Sequence, residues 1–164
     1  MTRVDRYLYE HWHIYVPLRQ AVVPMAVDNA NRQRFYEMLY GSDMEHNIGK
    51  YWDLTGQLLA SFRDRAVAER ARFVVVYVPS IVQVEQDDWH SKQELFHLIG
   101  DFDLRRPNAE LVHQADRHGI DLLDLTGTFV ATTAMRTLYF RESHWNHAGH
   151  ELAAAAIGNY LNSR

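Results

Sequence analysis

Cysteine is absent from this sequence of 164 residues. Disulfide bridges and thiolate metal sites are therefore excluded, although the absence does not select a compartment. Long apolar runs are also lacking, since no window approaches the roughly 20 residues that a membrane-spanning helix needs. Arg3, Asp5 and Arg6 stand where a secretory signal would have its apolar core. We therefore expect no membrane segment and a cytoplasmic location. If the natural start lies upstream, we expect instead that the protein is exported or membrane-anchored.

An excess of positive charge is lacking as well. The sequence has 17 Lys and Arg residues and 21 Asp and Glu residues, which gives a formal net charge of −4. The basic residues are mostly arginine and are dispersed, whereas nucleic-acid binding needs a basic stripe, so we expect no nucleic-acid partner. The apolar fraction of 47% is ordinary for a soluble protein. One domain over residues 1–164 is expected, mostly helical over 1–70 and α/β over 71–164.

The motifs that present a nucleophilic serine are missing. The sequence has neither a Gly-Asp-Ser turn nor a Gly-x-Ser-x-Gly elbow. The nearest string, Gly41-Ser42-Asp43, has the wrong order and does not follow an apolar strand. Ser80, which follows a predicted strand and Pro79, is the closest candidate, but a cap or turn role is the ordinary interpretation for it. The residues therefore identify no nucleophile.

Hydrophobic patterns predict an α/β fold. The apolar, β-branched runs 73–78 and 120–125 are typical of strands buried on both faces in a parallel sheet. Residues 108–118 predict a helix ended by Gly119, which gives a strand, loop, helix, strand unit. Asp124, at the end of the second run, should cap or orient a loop. Further helices are predicted over 4–22, 48–71 and 148–161, and one more is predicted after the second strand. Residues 28–40 predict a short helix or an irregular segment, and residues 138–140 a short third strand. Residues 81–102 predict a polar loop with a short helix at 91–99.

Residues 138–150 carry the clearest chemical pattern. In an extended or tightly turned backbone, residues two apart project to the same side, so the Glu142 carboxylate could reach Nδ1 of His144. Nε2 of His144 would then be free to act as a base. Asn146 suits the N-cap of the following helix, which would hold the loop from behind. The alternative is that His144 is an ordinary helix-entry residue bonded to the backbone.

Ten histidines raise the question of a metal site. His144, His147 and His150 are spaced by three, which on a continuous helix separates neighbours by roughly 60° and the outer pair by roughly 120°. His147 and His150 could share an ion with Glu151, but zinc sites normally take a further ligand, and no His-Glu-x-x-His string is present. We expect no metal site and no organic cofactor.

The run Glu142-x-His144-Trp145-Asn146-x-x-Gly149-His150 resembles the last sequence block of the SGNH, or GDSL-type, hydrolases. In that family an acid-x-His-Trp-Asn-x-x-Gly-His run supplies the catalytic acid and base, and the acid is usually Asp. The resemblance covers residues from about 65 onward. Three upstream segments also match, and they follow one another in the same order as in the family: 71–80, 106–108 and 119–125.

This resemblance implies a three-layer α/β/α flavodoxin-like SGNH hydrolase fold, here incomplete and with a short parallel sheet. It also implies an ester hydrolase, of the esterase or deacetylase kind, in which His144 is the base and Glu142 the acid. An ester or an acetylated carbohydrate would be the substrate, and an N-terminal half that is missing here would carry the serine. The alternatives are a non-catalytic binding module, an inactive hydrolase remnant and an O-acyltransferase-like subunit. A short sheet with an open edge also predicts self-association, unless the first helices cover that edge.

Overall fold

A computed structural model describes residues 29–42, 47–133, 135–140 and 143–163. Within these ranges the chain is mixed α/β, with mostly helix and one short sheet of two parallel strands, which confirms the broad fold prediction. The helix predicted over residues 4–22 lies outside them. The elements are α1 (29–40), α2 (Asn47–Ala68), β1 (Val74–Tyr77), α3 (Ile81–Val84), α4 (Gln86–Leu95), α5 (Arg106–His118), β2 (Asp121–Asp124), α6 (Thr126–Thr133) and α7 (His147–Asn162).

The sheet consists of β1 and β2 in parallel register. Val74 lies opposite Asp121 and Tyr77 opposite Asp124. The connection between them runs through α3, α4 and α5, as parallel strands require. Every residue of β1 is only half-buried, although an all-apolar strand was predicted to be buried on both faces. The difference arises because the sheet has only two strands in the described part of the chain. Each strand therefore lacks a neighbour along its outer edge.

Helices α2 and α5 pack against each other close to the sheet. Gly56 permits this contact, because a Cβ atom there would collide with the side chains of Gln114 and His118. Gly119 ends α5 with φ of 62°, as the sequence predicted. The outer side of α2 carries four apolar residues that are each at least half exposed, named the α2 stripe below. The α2 stripe consists of Tyr51, Leu54, Leu58 and Phe62.

The segment 81–102 differs most from expectation. A polar loop with one short helix at 91–99 was predicted, but the structure has α3 and α4 there. Trp89 lies within α4 and is buried, with its ring 5.2 Å from that of Phe102 and 6.1 Å from that of Tyr40. Packing of this aromatic cluster stabilises helices whose local sequence is rich in polar residues.

The core continues from this cluster to the end of β2. Leu125, Phe129 and Leu138 are fully buried. Phe129 belongs to α6, the helix predicted after the second strand. Within the described ranges, no helix combines the length and the apolar character that crossing a bilayer requires.

Candidate functional site

Residues 138–140 and 143–146 pair as the two arms of a hairpin, and these two arms are named the histidine hairpin below. Tyr139 and Trp145 make an antiparallel bridge. The Phe140 amide donates to the His144 carbonyl at 2.7 Å, and the Asn146 amide donates to the Leu138 carbonyl at 3.0 Å. The short strand predicted at 138–140 therefore pairs with the histidine segment, whereas the described two-stranded sheet contains β1 and β2 alone.

Ser143 has an unusual backbone conformation in the turn of this hairpin. Its φ is 68°, in the left-handed region that favours glycine. Its amide donates to the Phe140 carbonyl at 2.9 Å. The conformation costs on the order of 1 kcal/mol for a non-glycine residue, and it directly precedes His144.

The aromatic side chain after His144 anchors the hairpin to the core. The Trp145 ring stacks on Phe129, with centroids 4.9 Å apart, and meets the edge of His150 at 5.6 Å. Phe129 is fully buried. His144 itself is exposed. The segment thus sets a half-buried aromatic anchor, Trp145, directly after a solvent-facing imidazole.

Asn146 and Gly149 join the hairpin to α7. Asn146 Oδ1 accepts from the Gly149 amide at 3.0 Å, which confirms the predicted N-cap. Asn146 Nδ2 donates to the Thr137 carbonyl, also at 3.0 Å. A Cβ atom on Gly149 would lie 2.5 Å from the Leu138 carbonyl oxygen, so the helix approaches the strand more closely than any other residue would allow. One asparagine and one glycine therefore fix the helix start to both arms of the hairpin.

Tyr139 ties the hairpin to the carboxyl end of β1. Its hydroxyl donates to the Pro79 carbonyl at 2.9 Å, and the side chain is buried. Burial raises the pKa of Tyr139 to about 12, while a hydrogen bond from Trp145 opposes the rise. The phenol is therefore neutral at ordinary pH and remains a donor. Pro79 lies two residues beyond the last residue of β1, so the histidine hairpin lies beside that end of the sheet.

Ser80 shares this location but is held as a structural residue. It is the N-cap of α3, and its amide donates to Gln83 Oε1 at 3.0 Å. Its hydroxyl lies 3.0 Å from that of Tyr40, and burial raises the pKa of Tyr40 to about 12. A phenol with so high a pKa is a poor base at neutral pH. The cap interpretation of Ser80 is confirmed.

A partly buried network of amide side chains joins the two strand ends. Gln83 accepts from the Tyr77 hydroxyl at 2.9 Å and donates to Asn108 Oδ1 at 2.7 Å. Asn108 Nδ2 donates to Asp124 Oδ2 at 2.8 Å and to Thr126 Oγ1 at 2.7 Å. Asp124 Oδ1 accepts from the Thr126 amide at 2.8 Å, so its predicted role in orienting a loop is confirmed. Sequence reasoning missed Gln83 as a network residue, because its partners lie far apart along the chain.

The predicted acid–base pair is described only in part. His144 is among the described residues, whereas Glu142 lies outside them. On α7, His147 Nε2 lies 3.2 Å from Glu151 Oε1 in an exposed pair. Among the residues that the structure describes, no three His, Asp or Glu side chains gather closely enough to hold a metal ion.

Comparisons with protein-family models, with curated proteins and with solved structures give no match to this chain.

Proposed function

We propose that this chain supplies the acid–base half of an SGNH-type ester hydrolase, with His144 as the general base. The observation that carries the proposal is the hydrogen bond from Tyr139 to the Pro79 carbonyl, which holds the histidine hairpin at the carboxyl end of β1. Ligands of open α/β sheets bind outside the carboxyl ends of the strands. An exposed imidazole on a firmly anchored turn at that edge has the placement that a catalytic base needs.

The chemistry requires a serine, which we propose lies on a segment outside these residues. His144 Nε2 would accept the serine proton while Oγ attacks the ester carbonyl carbon and forms a tetrahedral intermediate. Collapse breaks the ester bond, and the imidazolium returns its proton to the departing alcohol. Water repeats the sequence on the acyl-enzyme and releases the acid. Glu142 would hold the imidazole through Nδ1 and stabilise the imidazolium.

The same proposal includes the complete fold of the domain to which these strands would belong. β1 and β2 would be two adjacent strands of a larger three-layer α/β/α sheet, completed at an open edge by the segment that bears the serine. Both strands end at the same side of the sheet because they are parallel, and an added parallel strand would also end there. A residue following that strand would then lie on the side of the sheet that carries the histidine hairpin.

Two measurements on the 164-residue chain test the assignment. A serine-directed fluorophosphonate should not label it, and 4-nitrophenyl acetate should be hydrolysed no faster than by free imidazole, because a triad without its nucleophile loses most of its rate. Stoichiometric labelling, mapped by mass spectrometry to Ser80 or Ser42, would contradict the external serine. The coding DNA upstream of the Met1 codon should contain an in-frame apolar strand followed by Gly-Asp-Ser. An in-frame stop without that motif would favour a binding module or an inactive remnant.

A further inference from the structure

Helix α2 carries an apolar face that stays exposed in the described part of the chain. The members of the α2 stripe follow one another at intervals of three, four and four residues, which places them on one side of the helix. The four residues are 50–61% exposed. Gly56, which contacts α5, lies roughly 150° away around the helix axis. The α2 stripe therefore points away from α5.

The exposed area of the α2 stripe suits a reversible interface. Its four exposed fractions, applied to full areas of about 150–250 Å² per side chain, leave about 400 Å² of apolar surface. Phe62 also stacks on Phe73, with ring centroids 6.4 Å apart, so the apolar patch extends towards β1. Two such stripes facing each other would bury about 800 Å², and flanking residues would bring the total into the lower range of specific protein–protein interfaces. We therefore expect association that depends on concentration.

The order of residues within the α2 stripe is self-complementary. The stripe reads aromatic, leucine, leucine, aromatic, from Tyr51 to Phe62. Two copies related by a two-fold axis bring the same surface together. If the helices run antiparallel and the axis passes between Leu54 and Leu58, Leu54 meets the partner's Leu58. Tyr51 then meets the partner's Phe62, so apolar residues face each other along the whole stripe.

Charged residues beside the α2 stripe favour the antiparallel arrangement. Lys50, Gln57 and Asp64 are spaced by seven residues, so they line one edge of the stripe, and all three are exposed. In an antiparallel two-fold pair the same edges meet, so Lys50 faces the partner's Asp64. The register set by this edge and the register set by the leucines agree to within about two residues, or about 3 Å. A parallel pair would bring opposite edges together and leave Lys50 and Asp64 apart.

The ion pairs already present on α2 are compatible with this arrangement. Asp64 bonds Arg63 at 2.6 Å, and Arg65 bonds Glu69 at 2.8 Å. The Asp64 side chain is still 68% exposed, so a lysine of a second molecule can approach it from outside. Glu69 offsets the charge of Arg65 at the end of the stripe, which reduces its repulsion towards other cations.

The α2 stripe and its charged edge together fit a second copy of the same chain. We propose that the chain forms an antiparallel two-fold dimer through α2, in which Leu54 packs on the partner's Leu58 and Lys50 pairs with the partner's Asp64. An unrelated partner would not require two groups of this chain to match each other across the stripe. The dimer uses no residue of the histidine hairpin, so it does not depend on the proposed function.

Sedimentation equilibrium of the full chain tests the dimer and the charges that it uses. The wild-type chain should dimerise reversibly. Lys50→Asp and Asp64→Lys should each raise the dissociation constant roughly 3–10-fold, because each sets two like-charged pairs across the interface. The double variant should return to near the wild-type value. Asp116→Lys changes the net charge as Asp64→Lys does, but at an exposed position on α5, and should have little effect.

Two results of this experiment would overturn the proposal. A wild-type chain that stays monomeric at the highest concentration reached would mean that residues 1–28 or another protein cover the α2 stripe. A double variant that dimerises as weakly as the single variants would mean that the copies meet through another surface, such as the open sheet edge.

Disulfide cross-linking tests the antiparallel register, because the chain has no cysteine of its own. A disulfide needs Cα atoms within about 7 Å of each other. Leu54→Cys mixed with Leu58→Cys should therefore cross-link under mild oxidation, and a tag on one variant identifies the mixed product by its size. In Leu54→Cys alone, the two Cα atoms would be separated by a further 6 Å or so along the helices, and cross-linking should be much slower. Cross-linking of Leu54→Cys alone at the rate of the mixture or faster would contradict the antiparallel dimer.

Discussion

Replacing Gly149 by alanine should destabilise the protein, although alanine is the better helix former. The added Cβ atom would lie 2.5 Å from the Leu138 carbonyl oxygen and 3.1 Å from Trp145 Cβ, whereas ordinary contacts begin near 3.4 Å. The start of α7 would have to move away from Leu138, which weakens the 3.0 Å bond from the Asn146 amide to the same carbonyl. Overpacking of this kind costs about 1–3 kcal/mol, and a weakened hydrogen bond adds up to about 1 kcal/mol.

Gly158 provides the matched control in the same helix. A Cβ atom there would have no neighbour within 4 Å, so alanine should stabilise the protein by the intrinsic gain of about 0.5–1 kcal/mol. The same gain offsets part of the loss at Gly149, which leaves a net destabilisation of about 1–3 kcal/mol. Urea unfolding followed by tryptophan fluorescence measures both free energies of unfolding. Equal stabilisation by the two substitutions would refute the close approach of α7 to the hairpin.

Three further predictions concern the hairpin and the surface. Ser143→Gly should stabilise the protein by about 0.5–1 kcal/mol in urea unfolding, because glycine adopts the positive φ without strain; a loss of stability would contradict this. Stability should be complete below pH 10 and should fall as pH rises towards 12, because burial raises the pKa values of Tyr40 and Tyr139 to about 12 in the folded state only. Tyr139→Phe should make that fall shallower in denaturation curves measured across this range, and an unchanged slope would count against it. Leu58→Gln with Phe62→Gln should reduce self-association in sedimentation experiments, since it removes half of the exposed α2 stripe; a wild-type chain that is already monomeric would contradict the prediction.

Local patterns in the sequence were sufficient to predict several elements. Gly119 ends α5 because a left-handed residue is needed there, and Asn146 caps α7 because its short side chain reaches the Gly149 amide. The apolar runs around Val74–Tyr77 and Asp121–Asp124 correctly indicated paired parallel strands. Each of these features depends on one residue type or on a short periodic pattern.

Long-range packing was not predictable in the same way. Helices α3 and α4 form where a polar loop was expected, because Trp89 packs with aromatic residues of α1 and with Phe102. Asn108 bonds Gln83 and Asp124, partners 25 and 16 residues away. No periodicity in the sequence reports such contacts. At the candidate site, the sequence indicated His144 and its helix, whereas the attachment of the hairpin to Pro79 required the structure.

Hydrolysis of 4-nitrophenyl acetate by the product of the complete natural reading frame tests the central claim most directly. If His144 is the general base, His144→Ala should lower kcat/KM by about 10³-fold or more. His147→Ala, an exposed neighbour paired with Glu151, should retain the wild-type value. Fluorophosphonate should label a serine outside residues 1–164 in the wild-type protein and in His147→Ala, and should react much more slowly with His144→Ala, because that serine has lost its base. An unchanged kcat/KM in His144→Ala would contradict the account.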